Sequence, residues 1–152
     1  MIRIRWFAGL LASAALTGCA AIGSSGPVVT ASLSSSHCGF TAEGLTLVSS
    51  ESDWQQLQQD RVGALPPWPA RDDRSMLVIS MGERPTGGYS IEMRDARIRD
   101  ELLVIDVLVE RPGGGMVSQA LTTPCAILNV PSEGWDEVVV KDKTDNLFYQ
   151  KL

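Results

Sequence analysis

Two thiols, a single imidazole and a few carboxylate pairs are the side chains of this chain with most scope for chemistry. Among 152 residues there are three cysteines and one histidine. Cys38 directly follows that histidine, His37. A nucleophilic cysteine needs a base within hydrogen-bond reach, yet neighbours in an extended segment point to opposite faces. Cys38 and Cys125 therefore carry three readings: a disulfide, a reactive Cys38 thiol served by His37, or two free thiols. In an exported domain an even pair reads as a disulfide, which would tie the start of the domain to a late strand. The pairs Asp72-Asp73 and Asp100-Glu101 flank expected strands. They read as solvated loop charges, although a glycosidase also uses two carboxylates roughly 5–10 Å apart. Asp72 and Asp73 lack the oxygen-ligand spacing of a calcium loop. A protein-built zinc site takes three or four ligands, which one histidine and three cysteines do not readily supply. Gly-x-Ser-x-Gly, His-Glu-x-x-His, Walker and Gly-x-Gly-x-x-Gly patterns are missing from the sequence. The expectation is a protein that is not an enzyme, with no catalytic residue, no metal, no cofactor and no small-molecule substrate.

Charge narrows the partners. The net charge is −5, and no acid precedes Glu43. Nucleic acid is not expected, because a basic face supplies most of such affinity. An electrostatic grip on anionic lipid is not expected either. An apolar fraction of 44% is that of a folded chain.

The N-terminus reads as an address. Arg3 and Arg5 precede an apolar run from Trp6 to Leu16, interrupted by Gly9 and Ser13. A charged segment before a short apolar one matches a signal peptide, and the run is shorter than the ~20 residues needed to span a bilayer. Leu16-Thr17-Gly18-Cys19 resembles the bacterial lipobox. That resemblance implies diacylglyceryl transfer to the Cys19 thiol, cleavage before Cys19 and acylation of the new amino terminus. Several acyl chains at about 0.8 kcal/mol per buried methylene make a durable membrane anchor. The expected location is the bacterial cell envelope. Ala20, standing where aspartate retains enterobacterial lipoproteins in the inner membrane, points to the outer membrane facing the periplasm in a Gram-negative cell.

The remaining elements must position whatever the chain binds. Residues 1–18 are the expected signal peptide and 19–36 the lipidated cysteine with a Ser/Gly/Ala-rich tether. Val28 and Val29 could begin a strand. One domain follows over 37–152. Phe40 to Ser49 is strand-like, with Gly44 as a turn or bulge. Ser50 to Val62 predicts the one helix, with Ser50 as cap, Asp53 in the first turn, and Trp54 and Leu57 on one face with Arg61 or Val62. Leu65-Pro66-Pro67-Trp68-Pro69 is non-helical and reads as an ordered loop. Met76–Met81, Tyr89–Ile98, Leu102–Val109, Val117–Val130, Glu137–Val140 and Leu147–Gln150 read as strands. Trp68 and Trp135 read as packed aromatics. The expected fold is α+β: mainly antiparallel sheet, as a sandwich or partly open barrel, with one short helix. Parallel crossovers are not expected, since no helix separates the later strands.

The most distinctive stretch is Gly82-Glu83-Arg84-Pro85-Thr86-Gly87-Gly88-Tyr89-Ser90-Ile91. Pro85 fixes φ, and Gly87 and Gly88 permit positive φ or close backbone approach. A second glycine loop, Arg111-Pro112-Gly113-Gly114-Gly115, leads into Val117-Ser118-Gln119-Ala120-Leu121-Thr122-Thr123-Pro124. In that order the two motifs resemble the C-terminal domain of the protease complex subunit PrcB family, over about residues 76–131. Cys125 departs from the aromatic often found after the proline there. The resemblance implies a non-catalytic envelope domain supporting the assembly or stability of a protease complex. Its protein-binding loops would be Pro85, Thr86, Gly87, Gly88 and Tyr89 together with Pro112 and Gly113, and its partner an envelope protease or another envelope protein. Pro-Thr-Gly-Gly-Tyr is also similar to the Asn-Pro-Thr-Thr-Gly-Tyr loop of chagasin-type cysteine peptidase inhibitors, with Gly113-Gly114-Gly115 as a second loop. Pro131 to Trp135 would be the third, keeping the tryptophan but lacking the Arg-Pro. A structural envelope lipoprotein with no protease link is the remaining alternative.

Overall fold

A computed structural model describes residues 28–61 and 63–152. The expected signal peptide, Cys19 and the first part of the tether lie outside the described residues. Within them the strands are β1 (Thr30–Ser35), β2 (Glu43–Val48), β3 (Arg74–Met81), β4 (Ser90–Arg99), β5 (Leu102–Glu110), β6 (Cys125–Pro131), β7 (Glu137–Asp142) and β8 (Asp145–Lys151). The helix α1 (Glu51–Gln59) joins β2 to β3. The strands form two four-stranded sheets, ordered β1-β6-β3-β2 and β4-β5-β7-β8. The fold is the expected sandwich, not a closed barrel.

Sequence alternation explains the layers. Leu77, Ile79 and Met81 of β3 and Ala126, Leu128 and Val130 of β6 point into the space between the sheets. There they meet Leu103, Ile105 and Val107 of β5 and Val138 and Val140 of β7. The intervening residues Met76, Val78, Cys125 and Ile127 face the other way, into a second core. That core is closed by Trp54 and Leu65, with Leu57 and Trp68 packed against it. Strands β3 and β6 are thus buried on both faces, which is why they read as continuous apolar runs.

The helix forms as expected. Ser50 accepts from the Asp53 amide at 3.2 Å, an N-terminal cap, and its hydroxyl donates to the Asp53 carboxylate. Trp54 is buried and donates its Nε1–H to Pro66 O at 2.9 Å. The proline-rich loop is therefore folded back on the helix, and Trp68 lies 6.5 Å from Trp54, ring to ring. Trp135 is buried too, donating to Pro131 O at 2.8 Å. Arg61 lies beyond the helix end, where its guanidinium covers the Phe40 ring at 3.5 Å.

Three expectations need correction. Residues 30–35, read as tether, form β1 and pair with β6 from Thr30↔Asn129 to Ser35↔Cys125. As an edge strand, β1 leaves most side chains exposed, so it carries no apolar alternation. β5 and β7 pair in parallel, from Leu102↔Glu137 to Val107↔Asp142. No helix is needed for that crossover because the chain returns through β6 in the opposite sheet. Residues 117–124, read with 125–130 as one bent strand or two, lie outside β6, and Pro124 has no amide hydrogen to extend the ladder.

Elsewhere local chemistry matches its place. Asp100 and Glu101, both at positive φ, turn the chain between β4 and β5, the backbone of a tight two-residue hairpin. A bulge at Arg94 splits the alternation of β4, so Ile91 and Met93 before it and Ala96 and Ile98 after it all serve the core. Asp72 is exposed, and Asp73 is held by two hydrogen bonds from Arg71 that lower its carboxyl pKa.

Cys38 and Cys125 form a disulfide with Cα atoms 6.0 Å apart. The reading of Cys38 as a nucleophile falls with it. His37 is exposed, its Nδ1 2.8 Å from the Ser36 hydroxyl. The bond closes a separation of 87 residues, for which chain entropy gives about 4–5 kcal/mol. A Cys38→Ser/Cys125→Ser protein is expected to lose about 4 kcal/mol in urea unfolding. A loss below about 1 kcal/mol would contradict a disulfide that constrains the unfolded chain.

Candidate functional site

Strand direction brings both glycine loops to one end of the sandwich. β3 ends at Met81 and β4 starts at Ser90, while β5 ends at Glu110 and β6 starts at Cys125. Their connections, 82–89 and 111–124, therefore leave the same end, as do the chain entering β2 and the turn from β7 to β8. The hairpin at Asp100-Glu101 and residues 132–136 lie at the other end.

The two loops are one hydrogen-bonded unit. The Arg84 amide donates to Thr122 O at 2.8 Å, and the Thr122 amide returns to Arg84 O at 2.9 Å. The Gly87 amide donates to Ser118 O at 2.8 Å. The Thr122 hydroxyl, in a residue only 4% exposed, donates to Thr86 O at 2.9 Å. Thr123 continues the network, accepting on its carbonyl from the Cys38 amide and on its hydroxyl from the Gly39 amide. Mutual bonding of this kind fixes backbone that would otherwise fray.

The expected binding residues are all at this end. Pro85, Gly88 and Gly113 are exposed, while Thr86, Gly87, Tyr89 and Pro112 are half-buried. Gly88 has φ +84°, and a Cβ there would lie 3.2 Å from Val117 Cγ1 and 3.4 Å from Pro112 Cγ. Gly88 is thus where the loops touch. Sequence reasoning passed over two side chains on this surface. Met116 is fully exposed beside the three glycines, and Leu121 is 63% exposed. A long apolar residue directly after Gly-Gly-Gly was the available signal. Residues 131–135 do not join the two loops, since they leave β6 at the opposite end and bury Trp135. A three-loop wedge of the chagasin type is not assembled from these segments.

Beneath the loops a cavity of about 350 Å³ opens between the two sheets. Met81, Ile91, Val109 and Phe148 give it apolar walls, and Arg84, Arg111 and Tyr89 complete the lining with Glu43. Arg84 Nη2 lies 2.8 Å from Glu43 Oε2, and its guanidinium sits 5.7 Å from the centre of the Tyr89 ring. Arg111 Nη1 is 3.6 Å from Asp142 Oδ2. Arg84 Nε and Asp142 Oδ1 are buried with no hydrogen-bond partner among the described residues. No cluster of three or more metal-ligating His, Cys, Asp or Glu side chains occurs among the described residues.

Gly88→Val is expected to destabilise the domain by about 1–3 kcal/mol, because a β-branched residue is strained at this φ and would press on Val117. Gly113, with open space around it, is the control, and Gly113→Ala should change stability by less than about 0.5 kcal/mol. Equal effects in thermal unfolding would contradict the loop contact.

Residues 75–131 match the family described as PrcB C-terminal. The match runs from the start of β3 to the end of β6 and so contains both glycine loops with the strands that carry them. It covers less than half of the chain. No curated protein and no solved structure matches the chain.

Proposed function

We propose that this PrcB-like protein is a lipid-anchored envelope protein whose loop end binds another envelope protein without catalysis, in support of a protease complex. The family match connects residues 75–131 with a protease-complex-associated role. The observation that carries the binding surface is the exposure of Met116 and Leu121 on a loop held by four hydrogen bonds to its neighbour. Leu121 stands beside the bonded Thr122, so its backbone costs little ordering entropy when a partner covers it, and Met116 adds apolar area from the glycine segment before Ser118. Loops on a rigid sheet are also where contacts usually sit. Met116, Leu121 and Pro85 would form the contact, with Thr122 holding its shape. The anchor rests on Arg3, Arg5, the apolar run to Leu16 and the Leu-Thr-Gly-Cys sequence ending at Cys19.

Crosslinking and capture from native envelopes, with the full-length protein as bait, tests the surface. Wild type should enrich one protease or protease-complex subunit, and Met116→Ser/Leu121→Ser should lose it while keeping its melting temperature. Identical recovery from both baits would remove the loop surface from the reading, and a hydrolase activity abolished by one side-chain change would remove its non-catalytic character. The anchor has its own test. Cys19→Ser should abolish incorporation of labelled palmitate and release the protein from the membrane fraction. Retention of both label and membrane location in that variant would refute lipidation at Cys19.

A further inference from the structure

The cavity under the loops combines two features that surface clefts seldom share. Its lining includes three half-buried apolar side chains, Tyr89, Leu147 and Phe148. Its lining also includes two guanidinium groups, on a chain whose net charge is −5. We propose that this cavity binds the C-terminal end of a partner polypeptide, with the terminal carboxylate at Arg84 and Arg111 and an apolar last side chain against Tyr89, Leu147 and Phe148. The proposal rests on the protein-binding reading above and assigns it a recognition chemistry.

Each guanidinium already faces a carboxylate. Glu43 sits at 2.8 Å from Arg84, on a side chain 57% exposed, so it can swing away and leave its place to another carboxylate. Asp142 is largely buried beside Arg111 and stays, aiming that guanidinium. Arginine forks suit carboxylates because two N–H groups can meet both oxygens. Size favours a chain end. Small-molecule sites usually enclose roughly 300–1,000 Å³, and about 350 Å³ lies at the lower limit. That volume accommodates a terminal residue and part of its neighbour. A fatty acid shares the chemistry of a carboxylate on an apolar chain, but the length of its tail argues against a cavity this small.

The test titrates the full-length protein with a fluorescently labelled hexapeptide ending in leucine, as free acid and as C-terminal amide, and uses decanoate as competitor. The acid should bind about tenfold or more tighter than the amide, the worth of a charge-assisted hydrogen bond. Arg111→Gln, which also strips Asp142 of its cation and is therefore compared only at a temperature where circular dichroism shows it folded, should weaken the acid by a similar factor and leave the amide unchanged. Glu43→Gln should tighten the acid, because the resident competitor loses its charge. Equal binding of acid and amide would overturn the proposal, as would no acid binding up to about 1 mM, or decanoate binding without peptide binding. Envelope capture separates this inference from the reading beneath it. Partner recovery that survives Arg111→Gln, with acid and amide equal, sinks the cavity site alone. Selective acid binding with no partner recovered supports the site and sinks the reading that the loop end binds an envelope protein.

Discussion

Strands β3 and β6 bury both faces, and their pairing from Arg74↔Pro131 to Ser80↔Cys125 orders everything around them. One face of this pair meets the second sheet and the other meets α1 and the proline-rich loop. At a sheet edge such a strand would leave one row of backbone groups unpaired beside its buried side chains. β1 and β2 are therefore placed outside, and their polar, half-exposed residues suit that position. Two buried serines of β3 are satisfied locally. Ser80 donates to Phe40 O and accepts from the Gly82 amide, and Ser75 bonds Ser132. A slip of one residue between β3 and β6 would exchange the two cores, so the register also fixes where the loops emerge.

The binding end inherits its rigidity from that register. Met81 and Cys125 are the last and first residues of adjacent central strands. The loops leaving them start side by side and close on each other through Arg84, Thr86, Gly87, Ser118 and Thr122. This accounts for the spacing of the two motifs. The threonine of Gln-Ala-Leu-Thr serves the Pro-Thr-Gly-Gly loop with one carbonyl, one amide and one hydroxyl. Between the loops and the apolar interior the arginine–carboxylate pairs mark the change from wet to dry surroundings, with Asp142 nearly enclosed and Glu43 open.

Much of this was legible from residues alone. The Ser50 cap, the Trp54–Leu57 face, the apolar runs of β3, β5 and β7, and the pairing of Cys38 with Cys125 all follow from periodicity, capping chemistry and cysteine count. The two loops stood out through proline and glycine. Other features were hidden for physical reasons. Thr-Ala-Ser-Leu-Ser-Ser becomes β1 because β6 offers free backbone groups, and backbone pairing leaves little trace in side-chain pattern. The parallel contact of β5 with β7 depends on which sheet the intervening strand joins, and periodicity reports burial without naming neighbours. Arg84 and Arg111 stand in the glycine loops, and nothing in their spacing assigns them a role. Only the closing of two sheets places them over Met81, Ile91 and Phe148.

The N-terminal strand gives the disulfide a mechanical meaning. A pull on the chain ahead of Thr30 would load β1 first, and β1 is held to β6 by an edge ladder of hydrogen bonds. Those bonds end near Ser35, and the next firm point is Cys38, joined to Cys125 at the start of β6. Once β1 had peeled, the force would pass through sulfur into a central strand buried on both faces. The domain could thus yield by one strand and then stop, with α1, the sandwich core and the loop end still in place. Its extensible element and its covalent brake are neighbours in the chain.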